Sequence, residues 1–522
     1  MDGQTLVGFL NHHALLGKLC SIVIGIVILL ILEGGLRLSN FGSQFDFILK
    51  GSNTNTPLKY SLNTQYIALH YFSHLKVDLE KIFTTSPWFP DTVFLQKKKQ
   101  SFRIFSLGAS TTRGFPFTKR TISYSGFLGN ILADVIPDKK VEIINAGYDA
   151  LSSFAVLDIF KKTIKYDPDL IIVYTGHNEF IGHFGTSSTV NIGKNRLLIE
   201  SIISLQNSKL FLLNKLAFFK INSFFRKKST APVNLFQTML RKSKVTWTES
   251  DHELTEKNYR LNLTEMANLA QKNGIRLIFS SLTSNLSDFS PIKPEFDNST
   301  SIQSQKKIRS LLSKGISFMN ENKTEEAIQT NKKALELDIN FAESHYNLGK
   351  AYETASNYEL AQSHFELARD FDKLHLRSCT KLNNIIEEVG KKFNVPVVDM
   401  EKSIRTYNKN KPLGNNFFLE HVHPNINGHL VMGETIARFL FRHDILGAKK
   451  LWYWSHMRSA REYVVNSGFD RKQFENGRYT AGRLLLDFPF YKCEEGVQLL
   501  QQAKKLKFEK TLIQSCKTFR KN

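Results

Sequence analysis

The feature that most limits what this chain can fold into is an alternation. Five short runs of β-type character, Arg103–Leu107, Val141–Asn145, Leu170–Thr175, Ile275–Ser281 and Val395–Asp399, are separated by stretches such as Ser125–Val135 and Tyr259–Lys272, whose apolar residues recur at helical spacing. Compact apolar strands alternating with helices call for a parallel sheet covered on both faces, the doubly wound α/β class. In that class ligands sit at the carboxyl ends of the strands. The first run continues as GASTTRG, which puts Ser110 just past a strand end. A serine there reads either as a polar turn residue capping the next helix or as a nucleophile. The turn alone does not decide.

The chain has 522 residues, too many for one simple core, so one large domain with an insertion or two to three domains are expected. A hydrophobic content of 42% with 23% charged residues excludes a disordered chain. The net charge of +22 suits nucleic acid, an anionic membrane surface or an acidic polymer, and says nothing about fold. No zinc-finger spacing and no aromatic–basic RNA signature accompany it, so no nucleic-acid partner is expected. Cys20, Cys379, Cys493 and Cys516 are far apart and form no CxxC pair, so neither a structural zinc site nor a disulfide framework is expected.

Near the N-terminus, Leu15–Leu38 is apolar apart from Lys18, Glu33 and Arg37, with an uncharged core at Leu19–Leu32. Lys18 can snorkel, which extends the stretch to roughly the 20 residues a bilayer needs. No A-x-A-like cleavage site follows, so the segment reads as an uncleaved single-pass anchor. Lys18 on one side faces Arg37 and Lys50 on the other, which leaves orientation open.

Two regions break the alternation. Arg196–Lys228 is apolar and basic, suiting a helical lid, a packed surface helix or an amphipathic helix against a membrane. Ile308–Phe341 and Ala342–His375 repeat at a 34-residue offset, with Gly315 matching Gly349, Phe318 matching Tyr352, Ala327 matching Ala361 and Ala334 matching Ala368. Small residues at these positions let two antiparallel helices approach closely, and large ones fill the groove between them. The pattern resembles the tetratricopeptide repeat. Two repeats are fewer than usually stand alone, so they should pack on the host domain or neighbouring helices, as a structural insertion or a protein-binding groove.

A serine hydroxyl needs a positioned base, and its intermediate needs hydrogen-bond donors. The remaining strand ends and the C-terminal loop carry suitable groups. FLEHVHPNINGHL supplies Glu420, His421, His423 and His429, with Glu420 and His423 three apart. Asn145-Ala146-Gly147 offers a turn amide, and Thr175–Glu179 offers the Asn178 carboxamide. Four blocks, GASTTRG, NAG, GHNE and EHVHP, resemble those of the SGNH (GDSL-like) hydrolase superfamily in the family's order. Ser280–Phe289 and the repeat insertion resemble its tetratricopeptide-containing branch. The resemblance covers roughly Phe102 to Leu440 and implies a flavodoxin-like three-layer α/β/α parallel sheet.

Carried over residue by residue, the resemblance implies that Ser110 attacks an ester carbonyl, His423 is the general base and Glu420 orients His423. The backbone amides of Ser110 and Gly147 and the side-chain amide of Asn178 would form the oxyanion hole. Ala109 stands where the family has Asp, Glu420 where the triad acid is usually Asp, and Glu179 where the third block usually ends in Asp. His421 is expected to point elsewhere on the turn, His177 and His183 to line the pocket at best, and His429 to pack in the closing helix. No cofactor and no metal are implied.

The expected organisation is an anchor (1–40), an approach segment (41–101), the first part of the hydrolase domain (102–307), two tetratricopeptide repeats (308–375), its second part (376–445) and a basic helical extension (446–522). The expected activity is hydrolysis of an ester, of a small acyl group such as acetyl, on an acylated glycan or lipid. Acyl transfer to a cell-envelope polysaccharide is one alternative, and an inactive membrane scaffold recruiting protein partners through its repeats is another. The catalytic domain is expected on the extracytoplasmic side.

Overall fold

The computed structural model describes residues 3–51, 59–72, 93–186, 194–225 and 248–521. The turn signals at Ser86-Pro87 and Phe89-Pro90 and the basic cluster Arg226–Lys228 lie outside them.

A five-stranded parallel sheet forms the centre: β1 Ser101–Gly108, β2 Lys140–Gly147, β3 Leu170–Tyr174, β4 Arg276–Ser280 and β5 Val397–Val398. Its order is β2-β1-β3-β4-β5, the flavodoxin-like arrangement. β1 and β3 are almost wholly buried, as runs with no in–out alternation require. β5 is the edge strand and is short. Pro396 just before it has no N–H to give a ladder, although its carbonyl accepts from the Phe279 amide at 3.1 Å. Helices Tyr124–Val135 and Ile426–Arg442 pack together, and Glu249–Lys272 packs on both Ser153–Thr163 and Thr380–Phe393. Because β1 lies between β2 and β3, the crossovers diverge at its carboxyl end. That opens a crevice between β1 and β3.

The approach segment contributes more than a link. Ile48–Lys50, Lys59–Leu62 and Val93–Leu95 form an antiparallel sheet, and Phe47, Leu62, Tyr66, Tyr71 and Phe94 belong to the main core. The hydroxyls of Tyr66 and Tyr71 both donate to Asp158 of the Ser153–Thr163 helix, at 2.5 and 2.6 Å.

Helices Ile302–Asn320, Thr324–Leu335, Ala342–Thr354 and Tyr358–Asp370 make up the repeat pair. A Cβ at Gly315 would lie 2.8 Å from the Asn331 side chain, and one at Gly349 would lie 2.8 Å from Phe365. Close approach of the paired helices therefore needs both glycines, and Ala327, Ala334, Ala361 and Ala368 are buried in the same grooves. The pair docks on the sheet domain. Tyr346 OH donates to the Ser287 carbonyl at 2.8 Å, and Gln362 Nε2 donates to Glu401 at 2.8 Å.

The C-terminal extension is helical at Ala460–Asn466, Arg471–Leu486, Cys493–Gln502 and Lys510–Lys521. It corrects the expectation for cysteine. Cys493 and Cys516, 23 residues apart in sequence, form a disulfide, because the last two helices fold back and bring them together. No local spacing motif announces such a pairing. At the other end, Gly3–Leu38 is one helix, and its Leu16–Leu38 segment is apolar, long enough to cross a membrane and unburied.

Candidate active site

The site is assembled from β1 outward. Ser110 is the first residue of a one-turn helix, Ser110–Arg113, that starts directly after β1. Ala109 occupies the N-cap, so the Ser110 hydroxyl does not cap the helix. It points instead at His423, whose Nε2 lies 2.7 Å from Ser110 Oγ. Ser110 keeps partial solvent access beside a buried ring.

The turn is tightly held. Asn145 Nδ2, at the end of β2, donates to the Thr112 carbonyl at 2.6 Å. A Cβ at Gly147 would lie 2.4 Å from the Arg113 backbone nitrogen, so only glycine lets β2 close against the helix. Thr111 Oγ1 donates to the Val422 carbonyl at 3.3 Å, stitching the serine turn directly to the histidine loop.

That loop is itself a closed turn. The Leu419 amide donates to the His423 carbonyl at 2.9 Å, and Asn425 caps the following helix by accepting from Gly428 at 3.0 Å. Inside it, the Glu420 carboxylate is fully enclosed and meets four donors, two on each oxygen. Oε1 takes the His423 amide at 3.0 Å and the His423 Nδ1. Oε2 takes the His421 amide at 2.7 Å and the His421 Nδ1. The extra methylene of glutamate is thus folded back in the loop. His421 differs from expectation. It does not point elsewhere but grips the same carboxylate from the other side, because the tight loop brings consecutive amides and rings onto one acceptor.

Burial pushes the His423 imidazole down to about 3, with Asp149 opposing the shift and Arg113 adding to it. It rests as a neutral acceptor toward Ser110. Phe115 packs on its ring at 4.3 Å. Arg113, itself buried, donates to Asp149 at 2.7 Å and to the Phe117 carbonyl at 3.1 Å. Neither Arg113, Asp149 nor Phe115 was singled out from the sequence. Arg113 is the sixth residue of GASTTRG and Asp149 follows NAG by two residues, which is the signal that could have found them.

The other candidate residues are placed as follows. The Ser110 amide has no acceptor among the described residues. The Gly147 amide donates to Asn145 Oδ1 at 3.0 Å, and Asn178 Nδ2 donates to the Leu151 carbonyl at 3.2 Å, leaving Asn178 a second N–H. His177 Nδ1 accepts from the Ser378 amide at 3.1 Å and its Nε2 lies 3.3 Å from Tyr174 OH, while burial, with His423 and Arg369 adding to it, pushes the ring down to about 3. Glu179 accepts from the Ser153 amide at 2.9 Å and hydroxyl at 2.6 Å, and burial raises its carboxyl to about 7. His183 is buried against Phe184, and His429 is buried in the closing helix. Glu420, His421 and His423 are also the one grouping among the described residues whose ligating atoms fall within 4.8 Å of each other. The hydrogen bonds among them account for that closeness.

Behind this loop stands the C-terminal extension. Phe490 and Phe289 flank the His421 ring at 4.8 and 5.8 Å, and Lys492 donates to the Ser290 hydroxyl.

Fold and site together define a doubly wound α/β protein with a serine, an imidazole and a carboxylate in series at the switch point of its sheet. The sequence matches the family model of the TPR repeat over residues 315–355. No curated relative matches the chain. Among solved structures it is similar to an acetylxylan esterase of Geobacillus stearothermophilus, at 9% identity and TM-score 0.30, over 65% of this chain and 95% of that one. It is also similar to a GDSL-like lipase of Bacteroides thetaiotaomicron, at 14% identity and TM-score 0.28, over 67% of this chain and 93% of that one. A lipase/acylhydrolase of Enterococcus faecalis aligns at 13% identity and TM-score 0.28, over 69% of this chain and 99% of that one. At such TM-scores the likeness carries no weight by itself.

Proposed function

We propose that this chain is a serine-dependent ester hydrolase with Ser110 as nucleophile, His423 as general base and Glu420 as the orienting acid. The observation that carries the reading is the unbroken series from Ser110 Oγ through the His423 ring, 2.7 Å away, to Glu420. Ser110 Oγ attacks the ester carbonyl carbon while its proton passes to His423 Nε2. Glu420 supports the imidazolium that forms. The tetrahedral intermediate collapses as the C–O bond to the alcohol breaks, and the departing oxygen takes the proton back from Nε2. Water then repeats the sequence on the acyl-serine, releasing the acid and restoring the hydroxyl. The Ser110 amide and the second N–H of Asn178 are the donors available to the oxyanion. The Gly147 amide joins them once it turns from Asn145.

The acyl group is small, such as acetyl, on an acylated glycan or lipid. Leu16–Leu38 anchors the chain, with the sheet domain on the extracytoplasmic side. The Cys493–Cys516 disulfide supports that side, since such bonds persist in oxidising compartments. The six-part division given by the sequence remains the proposed domain plan, with the repeat pair available to a protein partner.

Labelling with a serine-directed fluorophosphonate tests the assignment. The chain should react at one residue and Ser110→Ala should not. An unlabelled, folded wild-type protein would favour the scaffold reading. Acyl transfer would reveal itself as acylated product appearing only when an acceptor glycan is supplied.

A further inference from the structure

We propose that helices Arg196–Leu205 and Lys209–Phe225 form a platform lying on the bilayer that the N-terminal helix crosses, so that the domain meets the membrane at a second place. This rests on the reading of Leu16–Leu38 as a membrane span.

Each helix buries one side on the domain and turns apolar side chains outward on the other. In the first, Ile199 is fully buried and Ile202 and Ile203 pack on the core, while Leu197, Leu198 and Leu205 are 75%, 45% and 49% exposed. In the second, Leu212 is buried against Gly42, while Leu213 and Ile221, eight residues apart and therefore on one stripe, are 39% and 62% exposed. Water is a poor partner for such a surface.

What covers it follows from where the second helix begins. Glu33, near the end of the span, accepts from Ser208 Oγ at 2.8 Å and from the amides of Lys209 at 3.0 Å and Leu210 at 2.8 Å. Arg37 adds a bond to the Asn207 carbonyl at 2.9 Å. The first turn of the platform helix is therefore fastened to the span itself. Glu33 lies five residues before Leu38, about 8 Å along a helix axis, so the fastening sits at the edge of the hydrocarbon layer. A helix held at that height lies within the roughly 5–10 Å that interfacial helices sink into the headgroup boundary. Its charge does not oppose this: Lys209–Phe225 carries three lysines and no acidic residue, and although Lys209 pairs with Asp46 at 2.9 Å and burial lowers Lys215 to about 8, the helix stays net positive, which suits an anionic leaflet. The occupant is thus the lipid surface rather than a protein partner.

The free cysteines make a test direct, because Cys20 is exposed within the span and Cys379 is buried. The full chain is placed in vesicles of phosphatidylethanolamine and phosphatidylglycerol and nitroxide-labelled at Cys20. Leu197→Cys and Ile221→Cys, each in a Cys20→Ser background, are labelled in parallel. Ile316→Cys, in the same background, carries the comparison label, because Ile316 is also apolar and 48% exposed but lies on the repeat pair. Power saturation with oxygen and with a water-soluble nickel chelate should give oxygen-to-nickel accessibility ratios at 197 and 221 several-fold above that at 316. Ratios equal to that at 316, with Cys20 still deep, would overturn the platform and leave the span intact. A Cys20 label as open to nickel as 316 would remove the span and the platform together.

Discussion

Replacing Glu420 by glutamine keeps the shape of the loop and removes one charge, which makes Glu420→Gln the sharpest probe of the site. The carboxylate accepts on both sides: His423 approaches one oxygen with its amide and ring, and His421 approaches the other in the same way. A carboxamide has one accepting and one donating end, so one of the two histidines must meet an N–H with its own backbone N–H. If that histidine is His423, its ring proton moves to Nε2 and faces Ser110, the tautomer that cannot accept a proton. If it is His421, His423 keeps its tautomer but loses the anion behind its transient positive charge. Unit charges about 4 Å apart attract by about 4 kcal/mol at an effective dielectric constant of about 20. That corresponds to about three decades in rate, and the wrong tautomer can bring the loss to about four. Hydrolysis of p-nitrophenyl acetate should therefore fall about 1,000- to 10,000-fold in kcat, with circular dichroism confirming the fold. A folded Glu420→Gln within tenfold of the wild type would refute the role given to Glu420.

Asn178→Ala removes the only side-chain donor proposed for the oxyanion and should lower kcat about 100-fold with little change in KM, as a lost oxyanion donor does. Replacing both Cys493 and Cys516 by serine frees a loop of 23 residues and should cost about 3 kcal/mol by the chain-entropy relation, read from denaturant unfolding of the C-terminal helices. Burial holds His177, His423 and His429 down at about 3, so all three stay neutral in the folded protein well below neutral pH. The unfolded chain takes up their protons as pH falls through about 6.5, so stability present above that value is lost below it, by about 2 kcal/mol per ring at pH 5. Thermal melting between pH 8 and 5 should show the decline, and a midpoint independent of pH would contradict the buried, neutral rings.

The sheet was legible because its strands are apolar throughout, a pattern that follows from burial on both faces. Strand ends fell within two residues of expectation, and the fifth was overlong because Pro396, with no N–H, precedes it and Asp399 caps the helix that follows. The repeat was legible because Gly315 and Gly349 answer a steric need that recurs with its period. The partnership of Ser110, Glu420 and His423 could be named in advance only through four blocks in order, since no local rule brings residues 313 positions apart into contact. Three features were out of reach. His421 turns onto Glu420 because of loop closure, Cys493 meets Cys516 through a helical return, and Tyr66 and Tyr71 reach Asp158 across the chain. Each depends on tertiary geometry that neither spacing nor composition encodes.

The wall behind His421 has a consequence for when the protein can work. Phe490 and Lys492 lie far along the chain, whereas Ser110 comes early and the apolar N-terminal helix earlier still. During synthesis Ser110 emerges long before the residues that brace the loop opposite it. The proposed site is therefore complete only after Phe490 has been made, nearly 400 residues after Ser110.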